Sequence, residues 1–345
     1  MKALVKYASG PGNVALRDVE EPAPGPGQVK VEVKAAGICG SDLHIYHDDI
    51  EIPIEPPVVI GHEFAGVVVE RGEGVERVEL GDRVTCETSA SFCGRCLHCR
   101  VGSYNMCAHR KVVGYAVDGC FARYSVVNEH QVHILPDNVD FIAGALTEPL
   151  ACCVHAVIEK TPIAAGDVVV ITGPGTIGLL CLQLVQAAGG FPVVCGTSED
   201  AKRLQLARRL GAEATLDVTT ENLLDWLAAH TETGAADVFL ECAGAPAAAR
   251  LGLEATRRGG RYTQIGLFSG PFELAFDRIA YKELHVTGAL GQRWTSWRRA
   301  LALMGQGKVE TRVLVSHVLP LSQWEDAFRL VEEREGLKIV LEPGT

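Results

Sequence analysis

The sequence predicts an α/β protein in two parts, a β-rich domain and a doubly wound parallel sheet. Three observations lead there. Short β-branched runs broken by Gly, Pro or charge fill the first 150 residues. Beyond them, apolar strands alternate with helices of ten to fifteen residues, which calls for a parallel sheet covered on both faces. At the change stands "DVVVITGPGTIGLLCLQLVQAAGG": an apolar strand, a glycine turn, then a helix with apolar positions at helical spacing.

In chain order, the early strands are "GQVKVEVKAAGIC", "FAGVVVERG", "GDRVTCE" and "ARYSVVNEHQVHILP". After the glycine turn come strand "FPVVCGT", helix "SEDAKRLQLARRLGA", strand "EATLDV", a helix near 221–230, strand "ADVFLECAG" and a helix near 247–257. Strands "GGRYTQIGLF" and "LHVTGAL" follow. From about 290 the pattern turns to an amphipathic helix, "SWRRALALMGQGKV", and then a closing strand, "GLKIVLEP". There is no internal repeat, low-complexity segment or long linker.

Composition narrows the function classes. The 345 residues suffice for two cores. Apolar residues make up 47% and charged residues 22%, ordinary for a globular protein. The longest apolar runs stop far short of the roughly twenty residues of a membrane span. "MKALVKYASGPG" lacks the apolar core and cleavage site of a signal peptide, so the expected home is the cytoplasm. A formal charge of −11, with both signs mixed along the chain, argues against a nucleic-acid partner. It leaves a local anion site open. Twelve cysteines in such a chain point to metal ligands or buried thiols rather than disulfides.

Four of those cysteines sit in "FCGRCLHCRVGSYNMC" as C-x2-C-x2-C-x7-C: Cys93, Cys96, Cys99 and Cys107. Thiolates three apart on a tight loop supply soft ligands at tetrahedral positions, and Gly94 and Gly102 let the chain wrap. A closed zinc site is the main reading; an iron–sulfur cluster uses the same ligands, and inert thiols are the plain alternative. A closed site holds a loop and does no chemistry. His98 and His109 nearby read as exposed loop residues.

A second set is scattered. "AGICGSDLHIY", "VIGHEFAGVV" and "LTEPLACCVHA" offer Cys39, His62, Glu63 and Glu148. Three protein ligands with a free fourth position make a Lewis-acid site. Read singly, a buried Cys or His is core packing and a Glu beside Pro149 is a surface turn. "GPGTIG" matches G-x-G-x-x-G through Gly173, Gly175 and Gly178, with Ile177 counted in the same cofactor-binding turn. It follows a strand and opens a helix, the context in which the motif binds a dinucleotide pyrophosphate.

Taken in this order, "CGSDLH", "GHEFAGVV", the four-cysteine loop and strand–"GPGTIG"–helix resemble the zinc-dependent medium-chain alcohol dehydrogenase superfamily, end to end. The resemblance implies a GroES-like catalytic domain from residues 1–150 and 289–345, with a Rossmann NAD(P)-binding domain at 151–288 inserted. It implies that Cys39, His62 and either Glu63 or Glu148 hold catalytic zinc, while Cys93, Cys96, Cys99 and Cys107 hold structural zinc. It also implies a proton relay through Ser41 and His44. Ser198 falls where similar NAD enzymes carry aspartate. Thr197 and Ser198, with Arg203 or Lys202, could accept a 2′-phosphate, which leans towards NADP; Glu199 or Asp200 could instead reach the ribose.

"TEPLACCVHA" resembles the sorbitol dehydrogenase branch, whereas "CGSDLHIYHDDI" and "GALGQRWTSW" look more like threonine dehydrogenases. Either implies a small polar secondary alcohol, held by side chains such as Ser41, Tyr46, Glu63 and Arg293. The expected function is therefore NAD(P)-dependent, zinc-dependent oxidation of a polyol, sugar or cyclitol. L-threonine 3-dehydrogenase is the enzymatic rival. A non-catalytic, zinc- and cofactor-binding structural protein is the rival from another class. Enzymes of this kind are commonly homotetramers.

Overall fold

The computed structural model describes residues 1–344. The chain divides into two compact units: Met1–Ala151 with the segment from Gln292 onward, and Cys152–Gly291. The first unit is organised around its longest strand, Gln28–Gly37, which pairs antiparallel with Glu63–Arg71 along one edge. Its other edge is shared. Tyr124–Asn128 pairs with its first half, and the C-terminal strand Lys338–Glu342 pairs with its end, Val340 opposite Gly37. Arg83–Cys86, Val132–Ile134 and Val315–Pro320 complete a seven-stranded sheet. Val29, Val31 and Val33 alternate onto one face and are fully buried, as a half-buried strand requires. The core continues through Ile45, Phe64, Phe121, Trp324 and Phe328.

"ARYSVVNEHQVHILP", which reads as one strand in the sequence, is two. Asn128 stops the first with a capped turn over Glu129–Gln131, its N–H donating to the Gln131 side chain at 2.9 Å. The hairpin Lys2–Lys6/Val14–Asp18 and the helix Trp324–Glu332 have no counterpart in the sequence reading.

The second unit is a six-stranded, fully parallel sheet. From one edge to the other its strands are Ala214–Asp217, Phe191–Gly196, Val168–Thr172, Ala236–Glu241, Thr256–Gln264 and His285–Gly288. The order reverses at Val168–Thr172: the chain lays down Phe191–Gly196 and Ala214–Asp217 on one side of it and then crosses to place Ala236–Glu241 on the other. That is the switch point at which doubly wound sheets bind ligands. The helix Thr176–Ala187 follows the same strand, and Leu179, Leu180, Leu182, Leu184 and Val185 are wholly buried along it. At roughly 1.5–3 kcal/mol per such side chain, this packing fixes the helix start firmly beneath the glycine turn. No helix among the described residues is long and apolar enough to cross a membrane.

Candidate active site and metal centres

The four-cysteine loop closes on itself. The sulfurs of Cys93 and Cys99 stand 3.9 Å apart, Cys96 and Cys99 3.4 Å, and Cys107 and Cys93 3.6 Å. Sulfurs at the corners of a tetrahedron with zinc bonds of about 2.3 Å would be about 3.8 Å apart, whereas a disulfide is about 2.05 Å long. All twelve cysteines are free thiols. The local sequence explains the shape: Cys96 caps the short helix Leu97–Arg100, and Gly94 and Gly102 both take positive φ. The N–H groups of Arg95 and Cys96 draw the Cys93 thiol down to about 6, while desolvation and the neighbouring thiols push Cys99 up to about 12. Four sulfurs this close ionise together only around a shared cation. His98 and His109 are exposed and take no part.

Topology, not spacing, builds the other centre. Ligand atoms of Cys39, His62 and Glu63 lie within 4.8 Å of one another. Cys39 follows the strand Gln28–Gly37 and caps the helix Gly40–His47. His62 and Glu63 begin the paired strand, and the register sets Glu63 opposite Gly37. A Cβ on Gly37 would crowd Glu63 Oε2 and stand 3.0 Å from Lys338 Cε, so any side chain here would displace the Glu63–Lys338 pair. From the other side the Lys338 ammonium contacts Glu63 Oε2 and donates to the Ile38 carbonyl at 2.7 Å. Burial opposes the Lys338 charge, yet Glu63, Cys39 and Glu148 hold its pKa above the ordinary lysine value.

Asp42 is wholly buried behind these ligands. Its Oδ2 accepts the Cys39 N–H at 2.8 Å, and its Oδ1 lies 3.6 Å from His62 Nδ1. A carboxylate behind a ligating imidazole fixes the ring and raises its basicity. Burial works against protonation of His62, but Tyr115, Asp42 and Cys39 together hold its pKa well above the usual histidine value. The Tyr115 ring packs beside His62 at 5.5 Å, and burial pushes its phenol up to about 12.

Glu148 stands outside that donor set. Gln292, itself buried, donates one amide to Glu148 Oε1 and to the Thr88 hydroxyl, each at 2.9 Å. The Ser41 hydroxyl is buried and faces the Tyr115 phenol, with no other polar partner at hydrogen-bond distance among the described residues. His44, three residues on along the same helix, is exposed and pairs with Asp49 at 2.9 Å. The Tyr46 ring turns inward against Trp324 and Phe328, and Arg293 reaches Ser103 at 3.4 Å, on the four-cysteine loop. Sequence reasoning missed Asp42, Lys338 and Gln292. Asp42 was within sight, three residues after Cys39; Lys338 lies some 300 residues away and carries no local signal.

The donor set suits zinc: one thiolate, one imidazole and one carboxylate, buried and backed by a second carboxylate and a lysine. The glycine turn suits a dinucleotide. Gly173 has φ +80°, and a Cβ there would stand 2.7 Å from Ala243 Cα; a Cβ on Gly178 would stand 2.1 Å from the Gly173 carbonyl. Packing demands both. A Cβ on Gly175 would meet nothing within 4 Å, and this residue caps the helix Thr176–Ala187. Its bareness serves something that approaches from outside, at a helix N-terminus favourable to phosphate. Ile177 follows it, half-buried, its carbonyl accepting the Cys153 thiol at 3.6 Å.

At the end of the next strand, both the N–H and the hydroxyl of Thr197 donate to Asp200 Oδ2 at 3.1 Å. Arg203 pairs with the same carboxylate at 3.4 Å. Ser198 donates to Asp217 Oδ2 at 2.5 Å, and this bond together with those from Thr219 lowers the Asp217 pKa.

A β-rich unit holding two metal-type donor sets, joined to a parallel sheet with a dinucleotide turn, defines a nicotinamide-dependent metallodehydrogenase. Residues 25–137 match the alcohol dehydrogenase GroES-like domain and residues 176–306 match the zinc-binding dehydrogenase family. The chain is 43% identical to a sorbitol dehydrogenase of Halalkalibacterium halodurans over 99% of both chains. It is 36% identical to an L-threonine 3-dehydrogenase of Pyrococcus horikoshii, over 99% of this chain and 98% of that one. A zinc-binding dehydrogenase structure from Sinorhizobium meliloti, bound to NADP, superposes with a TM-score of 0.91 at 33% identity over 99% of both chains. The chain belongs to the zinc-dependent medium-chain alcohol dehydrogenase superfamily, in its polyol and threonine dehydrogenase branch. It is an enzyme, a zinc- and NAD(P)-dependent oxidoreductase acting on a small molecule.

Proposed function

We propose that the protein oxidises a small polyol, sugar or cyclitol at a secondary hydroxyl and reduces the ketone in reverse, with Cys39, His62 and Glu63 holding the catalytic zinc. The meeting of these three donors, with the Ser41 hydroxyl and the Tyr115 phenol buried beside them, carries the proposal. When bound, zinc supplies Lewis acidity at the alcohol oxygen and NAD(P) supplies the hydride acceptor. The protein's own groups do the rest. Ser41 accepts the hydroxyl proton as it passes its own on, and His44, three residues along the helix and open to solvent, is the base from which a proton leaves. Asp42 keeps His62 oriented, and Lys338 holds one oxygen of Glu63 so that the other can face the metal. Glu148, held by Gln292 and close enough to the centre to act on the Lys338 charge, is the side chain placed to meet a further substrate hydroxyl, whereas Arg293 is turned to Ser103 on the four-cysteine loop.

A second zinc sits in the four-sulfur loop, giving two per chain; the sulfur spacing supports this. Gly173, Gly175, Ile177 and Gly178 receive the pyrophosphate, and Thr197, Ser198 and Arg203 face the adenosine ribose. The enzyme works as a homo-oligomer in the cytoplasm, where its thiols stay reduced. Two features support assembly, a tetramer in particular. The edge strand His285–Gly288 leaves Val286 exposed, with Phe276, Tyr281 and Leu290 exposed in the same unit, and the four-cysteine loop exposes Leu97, Val101 and Met106.

A panel of polyols, aldoses, inositols and L-threonine, followed at the nicotinamide absorbance with each cofactor, tests the substrate class. Turnover of polyols supports it. Turnover of L-threonine alone assigns the enzyme to the threonine dehydrogenases instead, the reading that the Pyrococcus relative favours.

A further inference from the structure

Glu241 ends the third strand of the parallel sheet in sequence order after the glycine turn, and its side chain is completely buried. Oε1 accepts the backbone N–H of Ala243 at 2.9 Å and of Gly244 at 3.0 Å, and the Thr172 hydroxyl lies 3.4 Å away. Oε2 accepts the Gln264 amide at 2.6 Å and Gly244 again at 3.1 Å. The main-chain carbonyl accepts Ile265 and Gly266, each at 2.9 Å. One residue therefore ties together three adjoining strand ends: Thr172, the turn 242–244, and Gln264–Gly266. Space there is already closed, since a Cβ on Gly266 would stand 2.7 Å from Glu241 Oε2.

The turn so held is the one that presses on the glycine loop. Ala243 is what a Cβ on Gly173 would strike, and the Cys242 N–H donates to the Thr172 carbonyl at 3.1 Å. The Gly173 carbonyl in turn limits Gly178. A chain of close contacts thus runs from the carboxylate through Ala243 to both packed glycines of the loop, leaving Gly175 bare above it.

We propose that Glu241 is a positioning residue for the cofactor: its carboxylate clamps the 242–244 turn against Gly173 and so sets the 173–178 loop for the pyrophosphate. This rests on the reading of that loop as the cofactor site. The carboxylate has no substitute of the same shape. Glutamine would bring two N–H donors to a pocket whose closest contacts, the Ala243 and Gly244 N–H groups and the Gln264 amide nitrogen, already donate to the carboxylate. Buried and fully bonded, it anchors the loop rigidly.

The test uses the full-length, zinc-loaded enzyme. Dissociation constants for NAD and NADP come from calorimetry, KM and kcat from turnover, and unfolding midpoints are read without cofactor. Glu241→Gln is expected to raise the cofactor Kd and KM at least tenfold, with the loss falling on cofactor KM far more than on kcat. The swap Glu241→Gln/Gln264→Glu, which again faces one carboxylate with one amide, is expected to recover much of that affinity. If Glu241→Gln cannot be obtained folded, Gln264→Met removes the shorter of the two Oε2 bonds, together with the Gln264 bonds to the Gly266 carbonyl and the Tyr262 hydroxyl, and leaves the Oε2 bond from Gly244. It is expected to show the same cofactor-specific loss. A folded variant of either kind that binds cofactor like the wild type overturns the proposal. Gly175→Leu separates the underlying reading: it fills open space, so it should abolish binding. Wild-type affinity in that variant would instead remove the loop from the cofactor site.

Discussion

The two donor sets of the first unit differ in how the chain assembles them. Cys93, Cys96, Cys99 and Cys107 come from fifteen consecutive residues, and a capped turn with two glycines suffices to bring four sulfurs to tetrahedral separations. Cys39, His62 and Glu63 meet only because two strands pair with Gly37 opposite Glu63 and the C-terminal strand delivers Lys338 beside them. The first set is chemically uniform and spends all four positions on protein. The second mixes sulfur, nitrogen and oxygen and stops at three. On the proposed reading, the conspicuous local motif marks the site that holds structure, while the reactive site depends on long-range register.

Breaking each set should break different things, the largest effect first. Cys39→Ser should leave a folded protein with close to one zinc per chain. Its turnover should fall roughly a thousandfold or more, because several kcal/mol of Lewis-acid stabilisation goes with the metal. Turnover with zinc analysis checks this, and near-normal activity would remove Cys39 from the reactive centre. Cys96→Ser should also lose one zinc, but the readout moves to stability: a loss of a few kcal/mol, or about 4–12 °C in midpoint for a unit of this size. An unchanged unfolding curve would contradict a structural role for the loop.

The residues behind the metal ligands sharpen the comparison further. Asp42→Asn and Lys338→Met should each weaken zinc at the three-donor site by roughly tenfold to a hundredfold. Titration against a chelator reads this, and the four-sulfur site should hold its zinc as before. Lys338→Arg should recover part of the loss, since it restores the charge beside Glu63. Equal weakening at both sites would point to a general loss of structure rather than support for the ligands.

How much of this was legible in the sequence follows the same division. The parallel sheet was readable because its strands are apolar runs separated by amphipathic helices, and the glycine turn announces itself in strand–turn–helix context. The four-cysteine loop was readable from spacing alone. The hairpin at Lys2–Lys6 was not: the turn residues are there, in Ser9–Asn13, but the connection from Tyr7 to Asn13 is longer than the two-residue turns that announce a hairpin, and both strands are short. The three-donor site was legible as a set of candidates, Glu63 and Glu148 alike. What favours Glu63 is its place within 4.8 Å of the Cys39 and His62 ligand atoms, and what surrounds each carboxylate is Lys338 for Glu63 and Gln292 for Glu148. Those partners lie more than a hundred residues from the carboxylates they hold, so no local pattern could reveal them.

The smallest expected effect concerns the adenosine end of the cofactor. On the proposed reading Ser198 faces the adenosine ribose, where an acidic residue would exclude a 2′-phosphate, so Ser198→Asp should shift preference towards NAD, read as the ratio of kcat/KM for the two cofactors. The structure limits how far. Ser198 already donates to Asp217, and Asp200 and Asp217 already bring negative charge to this strand end. A third carboxylate adds to a field that exists, and its repulsion by Asp217 turns the new side chain outward. Exposed charges act on one another with at most about 1 kcal/mol, about fivefold in the ratio. A shift of that order places Ser198 at the 2′ position. No shift would move discrimination to Asp217, reaching in from the neighbouring strand, and Asp217→Asn should then raise the relative use of NADP.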